Sequence, residues 1–380
     1  MKIRVKLLLV LLSGVLFAAS AFVTVSDQPF TLEQLRQLYS QPTSQWPKPD
    51  VDPGIQNFRE LGPRPDPKFP KDNPYSEKKA ELGKLLFFDP RLSVSGQIAC
   101  ASCHEPQLGW GDGKQVSLGH DRQPGKRNAM TLLNVWNAEQ LFWDGRANSL
   151  EHQMRFPLQD RVEMNHELAQ MEKNLNKIKG YQVLFKEVFG KEKFTMQEIA
   201  QALTTFERTI VSRKSRFDRF LEGKKNELTD LEIKGLHLFR TKARCINCHN
   251  GPLFTDNQFH NVGLTYYGRK YEDLGRYHVT KRAEDVGKFR TPSLRDVAYS
   301  APYFHNGLFP TLEGALNMYN AGMPNLQPKT DAEKADTLFP KTSPHLKPLG
   351  LTEEEKQAVL AFLGAISSVQ QRIAQPELPQ

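Results

Sequence analysis

Two copies of one five-residue motif hold all four cysteines of this 380-residue chain. The copies occupy residues 100–104 and 245–249, and each has the order Cys-x-x-Cys-His. This order is the attachment signature of c-type haem, in which both cysteines form thioethers to the porphyrin edge and the histidine becomes an iron ligand. The sequence therefore predicts two covalently bound haems. Their anchors are Cys100 and Cys103 with His104 as the proximal iron ligand, and Cys245 and Cys248 with His249 as the proximal iron ligand.

Four cysteines could instead hold one zinc ion or form two disulfide bonds. The ligand pairs of a zinc site commonly lie about 15–20 residues apart, whereas Cys100 and Cys245 are 145 residues apart. Neither a zinc site nor two disulfides would explain a histidine after both cysteine pairs. Because the two motifs use every cysteine, no thiol is left for a disulfide or a reactive nucleophile.

The first 21 residues have the pattern of a secretory signal peptide. A positively charged start precedes an apolar stretch over 7–17, and residues 19–21 read Ala-Ser-Ala, which matches a cleavage site. An uncleaved membrane anchor is the alternative, because apolar residues continue beyond this site. Either form exports the globular part, as c-type haem attachment requires in bacteria, so we expect a periplasmic protein.

The chain is basic, with a net charge of +8. Removal of residues 1–21 would take away three positive charges and leave +5, and the propionates of two haems would offset much of the remainder. The basic side chains also lie among acidic ones rather than in one stripe. We therefore expect no nucleic-acid partner.

Proline content separates an N-terminal arm from the rest of the chain. Nine prolines lie between positions 42 and 74, and they exclude a continuous helix over this stretch. Residues 22–75 are therefore predicted to form an extended arm on the domains or a linker, with one short helix over 31–39.

A helix is predicted before each haem motif. Apolar residues at helical spacing over 80–88 predict a helix before the first motif, with Ser76 as its N-cap. Residues 232–240 predict a similar helix before the second motif, and each helix has a glycine near its middle. Longer helices are predicted over 196–222 and 353–374, and no run of alternating strands stands out. The fold prediction is a mainly α protein with two cytochrome c-like domains, each carrying one haem. Haem one belongs to 76–223 and haem two to 224–375, sizes that suit two domains.

Several blocks of sequence resemble the bacterial dihaem cytochrome c peroxidases and the related MauG-like enzymes. The resemblance covers about 300 residues from Ala80 onward, and it is specific because the blocks occur together with two haem motifs. It implies that haem one reacts with hydrogen peroxide and that haem two passes electrons to it. The blocks are LGKLLFFDPRLS at 82–93, FWDGR at 142–146, VEM at 162–164, FRTPSLR at 289–295 and APYFHNG at 301–307.

The resemblance also assigns roles around haem one. His120 corresponds to a removable distal iron ligand, although a surface histidine is the alternative. Glu163 corresponds to the distal acid/base, a role that typically contributes about 10²–10⁴-fold to a rate. Gln153 corresponds to an amide that orients peroxide or water, and Trp143 to a tryptophan between the two haems, where an indole can carry an electron vacancy.

A calcium ion between the haems is a further implication of the resemblance. Asn128 corresponds to its side-chain ligand, and the carbonyl groups of Ser300 and Pro302 to its main-chain ligands. Calcium takes oxygen ligands, including carbonyls and waters. Serine stands at 300 where the family usually has threonine, which changes little because the contact is with the main chain.

The distal side of haem two departs from the peroxidase pattern. Counted from residues 311–313, the position that holds methionine in the peroxidases is Tyr319, and tyrosine there is typical of the MauG-like enzymes. Met318 and Met323 are the alternatives, although Met318 points about 100° away from Tyr319 on a helix. The identity of this ligand matters because ligation of the iron by histidine and methionine raises its reduction potential, whereas ligation by tyrosinate favours the oxidised iron.

Three functions are consistent with these residues. The first is a hydrogen-peroxide-dependent oxidoreductase that reduces peroxide to water with electrons from a small periplasmic carrier, either a c-type cytochrome or a cupredoxin. The second is a MauG-like enzyme that oxidises residues of a partner protein; Tyr319 favours it and His120 disfavours it. The third is a dihaem electron carrier, which has no use for Glu163 and Gln153. Homodimers are common in this family, so the resemblance leaves a dimer open.

Overall fold

The structure is a computed structural model that describes residues 30–369 and 373–380. The predicted signal peptide and the first part of the arm lie outside these residues. Within them the chain is mainly helical, as predicted, and two short strands, β1 (Phe259–His260) and β2 (Phe289–Arg290), form an antiparallel pair. The helices of the described residues are α1 (Leu32–Tyr39), α2 (Glu77–Phe88), α3 (Leu150–Gln153), α4 (Arg155–Gln159), α5 (Leu168–Leu175), α6 (Lys179–Phe189), α7 (Met196–Thr209), α8 (Arg216–Leu221), α9 (Asp230–Arg240), α10 (Tyr277–Thr280), α11 (Leu312–Asn320), α12 (Asp331–Ala335) and α13 (Glu353–Ala365).

Side-chain caps fix the start of both helices that precede the haem motifs. The Ser76 hydroxyl accepts a hydrogen bond from the backbone N–H of Lys79, so the predicted N-cap of α2 is confirmed. At α9, Thr229 and Glu232 form a reciprocal capping box. None of the helices in the described ranges is long and apolar enough to cross a membrane.

Two helix pairs repeat the same close packing. α2 packs against α7, and α9 packs against α13. A Cβ atom built on Gly83 would overlap the carbonyl oxygen of Ala202, and one built on Gly235 would overlap that of Ala358. Both crossings therefore require a residue without a side chain. This shared geometry is the structural form of the internal repeat that the two lead-in patterns predict.

An aromatic triad lies beside each of these crossings. The ring centroids are 5.3–6.1 Å apart in the first triad and 5.4–6.2 Å apart in the second, with edge-to-face or tilted rings in both. Such geometry adds to the stabilisation from burial alone. The triads also align the two halves of the chain, because Phe206 on α7 corresponds to Phe362 on α13. The first triad is Phe87, Trp110 and Phe206, and the second is Phe239, Phe254 and Phe362.

The buried apolar side chains form two main clusters. The first contains side chains of α2, α5, α6 and α7, and Cys100 and Ala101 of the first haem motif pack against it. The second contains side chains of α9, α11 and α13 together with Phe217 and Phe220 of α8. Each cluster therefore contains one of the two helix crossings.

The proline-rich arm lies against the second cluster. Trp46 and Leu61 are buried in that cluster. The Arg240 guanidinium, which is 1% exposed, pairs with the Glu60 carboxylate and donates to the carbonyl oxygen of Pro47 at 2.8 Å. These contacts attach the arm to the end of α9, five residues before the second haem motif begins.

The predicted helix over 196–222 is wrong in its length. α7 ends at Thr209 because Asn134 binds the chain that follows: its backbone N–H donates to the carbonyl oxygen of Ile210 at 2.9 Å, and its Oδ1 accepts from the N–H of Ser212 at 3.1 Å. α8 then starts afresh behind its own cap at Ser215.

The predicted helix over 353–374 is also too long. α13 ends at Ala365, and Ser368 departs from the helix because its backbone N–H and its hydroxyl both donate to Asp296 Oδ1, at 2.6 and 2.7 Å. The buried Asp296 carboxylate thus replaces the helical hydrogen bonds that a continuation would have formed.

Candidate functional site

A cavity of about 230 Å³ contains the second haem motif. Cys245, Cys248 and His249 line it, and most of the other lining side chains are apolar. His249 Nδ1 lies 3.0 Å from the carbonyl oxygen of Phe254. Because a carbonyl only accepts, Nδ1 carries the proton and Nε2 keeps its lone pair for a metal ion. Burial lowers the pKa of His249 and so favours the neutral ligand form.

The first motif has the same local geometry. His104 Nδ1 lies 3.0 Å from the carbonyl oxygen of Trp110, and burial lowers the pKa of this histidine too. The backbone N–H of His104 donates to the carbonyl oxygen of Cys100 at 3.0 Å, as His249 does to Cys245 at 2.9 Å. The four cysteines form no disulfide. This donor set, two thiols and one oriented imidazole in each half, fits two c-type haems.

One alternative metal site lies beside the second motif. Cys248, Asp256 and His260 form the one group of histidine, cysteine and acidic ligands near enough to share an ion in the described part of the chain. His260 Nε2 is 2.8 Å from Asp256 Oδ2. Cys248, however, is also a haem anchor, and a thioether sulfur is not the thiolate that metal sites use. We therefore interpret His260 as part of the wall of the cavity and Asp256 as the residue that orients its ring.

The loop that carries His120 packs against the segment that carries Glu163. The backbone N–H of His120 donates to the carbonyl oxygen of Glu163 at 2.8 Å. A Cβ atom on Gly119 would overlap the carbonyl oxygen of Val162, so glycine is needed for this close approach. His120 Nδ1 is buried without a hydrogen-bond partner. The structure thus brings together two predicted site residues that are 43 positions apart in the sequence.

The Glu163 carboxyl has an environment suited to proton exchange. The residue as a whole is exposed, but the protein around its carboxyl removes part of its water. This loss of hydration raises the pKa of Glu163, the nearby Asp160 raises it further, and Arg146 opposes the rise. A raised pKa brings a carboxyl closer to neutral pH, where a general acid/base works best.

Gln153 lies on the element next to Glu163. It is the half-buried last residue of α3. The α3–α4 region is joined to the Glu163 segment by a hydrogen bond from the Met164 N–H to the carbonyl oxygen of Pro157 at 3.1 Å. Met154 and Met164 also share the first apolar cluster. Gln153 and Glu163 therefore belong to one packed region beside the first motif.

Trp143 lies where the two halves of the chain meet. Its Nε1–H donates to the carbonyl oxygen of Asn128 at 2.9 Å, and its own carbonyl oxygen accepts from the N–H of Arg290 at 2.8 Å. The indole also lines the cavity of the second motif. Trp143 thus contacts both halves of the chain, and its position between two haems stays a prediction.

His305 belongs to this junction, although the sequence did not single it out. It is 2% exposed, its ring stacks on Phe289 at a centroid distance of 3.6 Å, and it meets Trp143 edge to face at 6.3 Å. Burial lowers its pKa to about 3, so the imidazole is neutral at pH 7. The available signal was its place in the 301–307 block, where the resemblance assigned no role to a histidine.

The three calcium candidates meet at one cavity. Asn128, Ser300 and Pro302 all line the cavity of the second motif. Asn128 Nδ2 donates to the carbonyl oxygens of Lys114 at 2.9 Å and Gln115 at 3.4 Å. These two bonds hold the nitrogen side of the amide, so Oδ1 is the atom that could contact a cation.

Tyr319 lies on α11 and lines the cavity that contains His249. Met318, its neighbour on the helix, and Met323, which follows the end of α11, are not among the residues that line this cavity. Burial raises the pKa of the Tyr319 phenol, so this oxygen would keep its proton in the absence of a cation. The ring lies 5.9 Å from that of Phe304.

Comparison with known proteins gives one consistent family. Residues 77–226 match the family model described as di-haem cytochrome c peroxidase. Over 336 residues, 81% of this chain and 85% of the relative, the chain is 39% identical to the cytochrome-c peroxidase IdrP1 of Pseudomonas sp. (strain SCT). It is 37% identical over 313 residues to the methylamine utilization protein MauG of Methylorubrum extorquens, with 82% and 84% of the chains covered.

A solved structure supports the same fold. The crystal structure of a MauG-like protein associated with microbial copper homeostasis aligns with a TM-score of 0.71 and 32% sequence identity. The alignment covers 80% of this chain and 93% of that protein. Similarity to both peroxidases and MauG-like proteins thus extends over most of the chain.

Proposed function

The chain belongs to the di-haem cytochrome c peroxidase family, and on this basis we propose that it reduces hydrogen peroxide to water with electrons from a small carrier. Relatives named cytochrome-c peroxidases support a peroxidase of the oxidoreductase class. The carrier we propose is a c-type cytochrome or a cupredoxin in the periplasm. The two proposed haem domains are residues 76–223 and 224–375.

The contact between the His120 loop and Glu163 is the observation that carries this proposal. A bound haem supplies an iron centre that binds peroxide and stores oxidising equivalents. Beside it, Glu163 accepts a proton from one oxygen of hydrogen peroxide and returns it to the other oxygen, which leaves as water. Gln153 orients the peroxide by hydrogen bonding. His120, whose Nδ1 has no protein partner, is the residue that would hold the iron of a bound haem on the Glu163 side.

The overall reaction consumes one peroxide, two electrons and two protons and yields two waters. Trp143 connects the two halves of the protein through Asn128 and Arg290, which supports an electron path through its indole. The proposed calcium ion at Asn128, Ser300 and Pro302 would hold this junction together. Residues 1–21 would act as a cleaved signal peptide, with an uncleaved anchor as the alternative.

A MauG-like enzyme is the second candidate function. The observation in its favour is Tyr319, which lines the cavity of the second motif where Met318 and Met323 do not. We infer that the Tyr319 oxygen would hold the iron of haem two together with His249. A hard oxygen ligand favours oxidised iron, so such a site would suit the oxidation of residues in a partner protein more than electron entry from a carrier.

The experiment that tests the proposal uses the purified holoprotein with peroxide, calcium and reduced small c-type cytochrome. We expect rapid oxidation of the cytochrome over many turnovers. Glu163→Gln should slow the reaction with peroxide at least 100-fold, within the range typical of a lost acid/base, and leave both haems attached. Glu139→Gln, an exposed loop position, is the matched control and should retain the wild-type rate.

Two outcomes would contradict this function. A long-lived oxidised species without cytochrome turnover would favour oxidation of a partner protein instead. No spectral response to peroxide would leave only an electron carrier. Near-normal turnover by Glu163→Gln would remove Glu163 from the mechanism while leaving the peroxidase activity established.

A further inference from the structure

Glu207 on α7 is a buried carboxyl that the proposed chemistry does not use. It is 5% exposed, and its Oε2 has no hydrogen-bond partner. The neighbouring Arg208 directs its guanidinium to the Glu151 carboxylate, with two bonds of 2.7 and 3.0 Å. The positive charge next to Glu207 in the sequence is therefore already paired with another acid. A buried carboxyl oxygen without a partner calls for an explanation.

The internal repeat locates Glu207 relative to the first haem motif. The matching helix crossings align Phe206 with Phe362, since each has its Cβ 2.8 Å from the position of a Cβ atom on the facing glycine. The next residue in each helix is Glu207 in α7 and Leu363 in α13. Leu363 lines the cavity of the second haem motif. The equivalent position, held by Glu207, thus faces the first haem site.

The electrostatics of Cys100 agree with this location. Burial raises the pKa of the Cys100 thiol, and the charge of Glu207 is the next largest cause of the rise. Cys100 is one of the two anchors of haem one, and its sulfur stands for a thioether that no longer titrates in the holoprotein. This charge effect agrees with the repeat-based location of Glu207, close to the edge at which haem one would be attached.

The charged groups around Glu207 leave it without a dedicated counter-ion. Burial raises the pKa of Glu207 to about 8, Arg208 opposes the rise, and Glu151 on α3 adds to it. Lys79 on α2 responds to the same Arg208 and Glu151 charges. On α5, Glu172 lies at the far end of α7, where it accepts from the N–H of Met196 at 2.8 Å.

We propose that Glu207 takes up one proton when haem one is reduced by one electron. The inference rests on the proposed haem site at the first motif. Ferric haem carries one more positive charge than ferrous haem, so the ionised carboxylate is stabilised only while the iron is oxidised. When a reduced carrier delivers an electron, that stabilisation is lost and Glu207 Oε2 binds a proton from solvent. The electron and the proton together leave the net charge of the site unchanged.

The same reasoning separates the two haem sites chemically. Leu363 occupies the corresponding position at the second motif and cannot bind a proton. Reduction of haem two therefore lacks this proton uptake. An ionised Glu207 also holds haem one in the ferric state, the state from which peroxide reduction starts.

The test is a redox titration of the holoprotein, followed by the absorption of each haem, at a series of pH values around neutrality. For haem one we expect the equilibrium constant for reduction to fall tenfold for each unit of increase in pH, which is about 59 mV for a one-electron couple. The reduction of haem two should show no pH dependence that is due to Glu207. Glu207→Gln keeps the side-chain volume but cannot titrate, and Glu207→Leu copies the second site. Both variants should lose the pH dependence of haem one.

An infrared measurement on the wild-type protein does not depend on the folding of any variant. The difference spectrum between reduced and oxidised protein should gain a protonated-carboxyl band on reduction, and Glu207→Gln should remove it. An unchanged pH dependence in Glu207→Gln, or no such band in the wild type, would overturn the inference. If the wild-type protein does not turn over peroxide but the reduction of haem one still depends on pH, the proposed function is refuted and this inference stands.

Discussion

The indole Nε1 of Trp143 donates a hydrogen bond to the carbonyl oxygen of Asn128 at 2.9 Å. The backbone N–H of Asn128 in turn donates to the carbonyl oxygen of His305 at 2.8 Å. His305 comes from the second half of the chain and meets the Trp143 ring edge to face. Trp143 thus contacts one residue of each half, Asn128 and His305, and these two residues are also hydrogen-bonded to each other.

This arrangement predicts the effect of Trp143→Phe. Phenylalanine keeps an aromatic ring but loses the bond to Asn128, and its ring is harder to oxidise, so electron transfer between the haems should slow at least tenfold. Stopped-flow absorption after mixing with peroxide would measure it. Trp136→Phe is the matched control, because Trp136 Nε1 makes no hydrogen bond in the described structure. Equal rates for both variants would exclude the path through Trp143.

The distal ligand of haem two can be tested on α11. Tyr319→Met should raise the reduction potential of haem two and strengthen its reduction equilibrium at least tenfold, because thioether sulfur favours the reduced iron more than phenolate does. Met318→Leu should leave the potential and spectrum of this haem unchanged. Redox titration with visible spectroscopy would distinguish them. A shift in Met318→Leu with none in Tyr319→Met would assign the ligand to the methionine.

The helix crossings predict a large effect of one methyl group. Gly83→Ala should destabilise the protein by roughly 1–3 kcal/mol, because the new Cβ overlaps the carbonyl oxygen of Ala202 and the helices must separate. Gly364→Ala, on α13 with no atom within 4 Å of its Cβ position, should be neutral or slightly stabilising. Denaturant unfolding of the holoproteins would measure both. Equal effects at the two positions would contradict the close-packing argument.

Protonation of Glu151 should contribute to a loss of folding stability at acid pH. Burial raises its pKa, but hydrogen bonds from Arg208 and Asn73 and the charge of Arg208 outweigh this and lower the pKa to about 2. A carboxyl with a lowered folded-state pKa contributes stability above its unfolded value, near 4.5, and loses it as the pH falls towards 2. The contribution is roughly 3 kcal/mol at neutral pH.

The measurement is the free energy of unfolding between about pH 5 and 2. Glu151→Gln should be less stable than the wild type at neutral pH, and this difference should shrink as the pH falls through the window. Glu139→Gln is exposed and should follow the wild-type curve. A constant difference between wild type and Glu151→Gln at every pH would rule out the ionised pair as the cause.

Local signals in the sequence account for the parts of the fold that were predicted. The helices before each haem motif were predictable because Ser76 caps α2 and a capping box starts α9, and both signals lie within four residues of the start. The haem anchors were predictable for the same reason, since all five motif residues are adjacent. Proximity of His120 to Glu163 was implied only by resemblance, because no local pattern links two loops.

Distant hydrogen bonds explain the errors. α7 ends where Asn134 binds Ile210 and Ser212, and α13 ends where Asp296 binds Ser368, so each end depends on a residue more than 70 positions away. Glu207 was overlooked for a related reason. A glutamate next to an arginine has the pattern of a solvated helix face, and only tertiary packing around α7 makes Glu207 a buried acid.

The contacts of the proline-rich arm have a consequence for the order of assembly. The N–H of Asp52 donates to Asn247 Oδ1 at 2.7 Å, and the N–H of Gly251 donates to the carbonyl oxygen of Arg59 at 2.8 Å. The arm is synthesised before the second haem motif, and its partners appear about 190 residues later and include a residue inside that motif. Haem attachment and arm docking need the same segment, so we expect the arm to close over a motif that has already received its haem. The arm would then dock after the second haem has been attached.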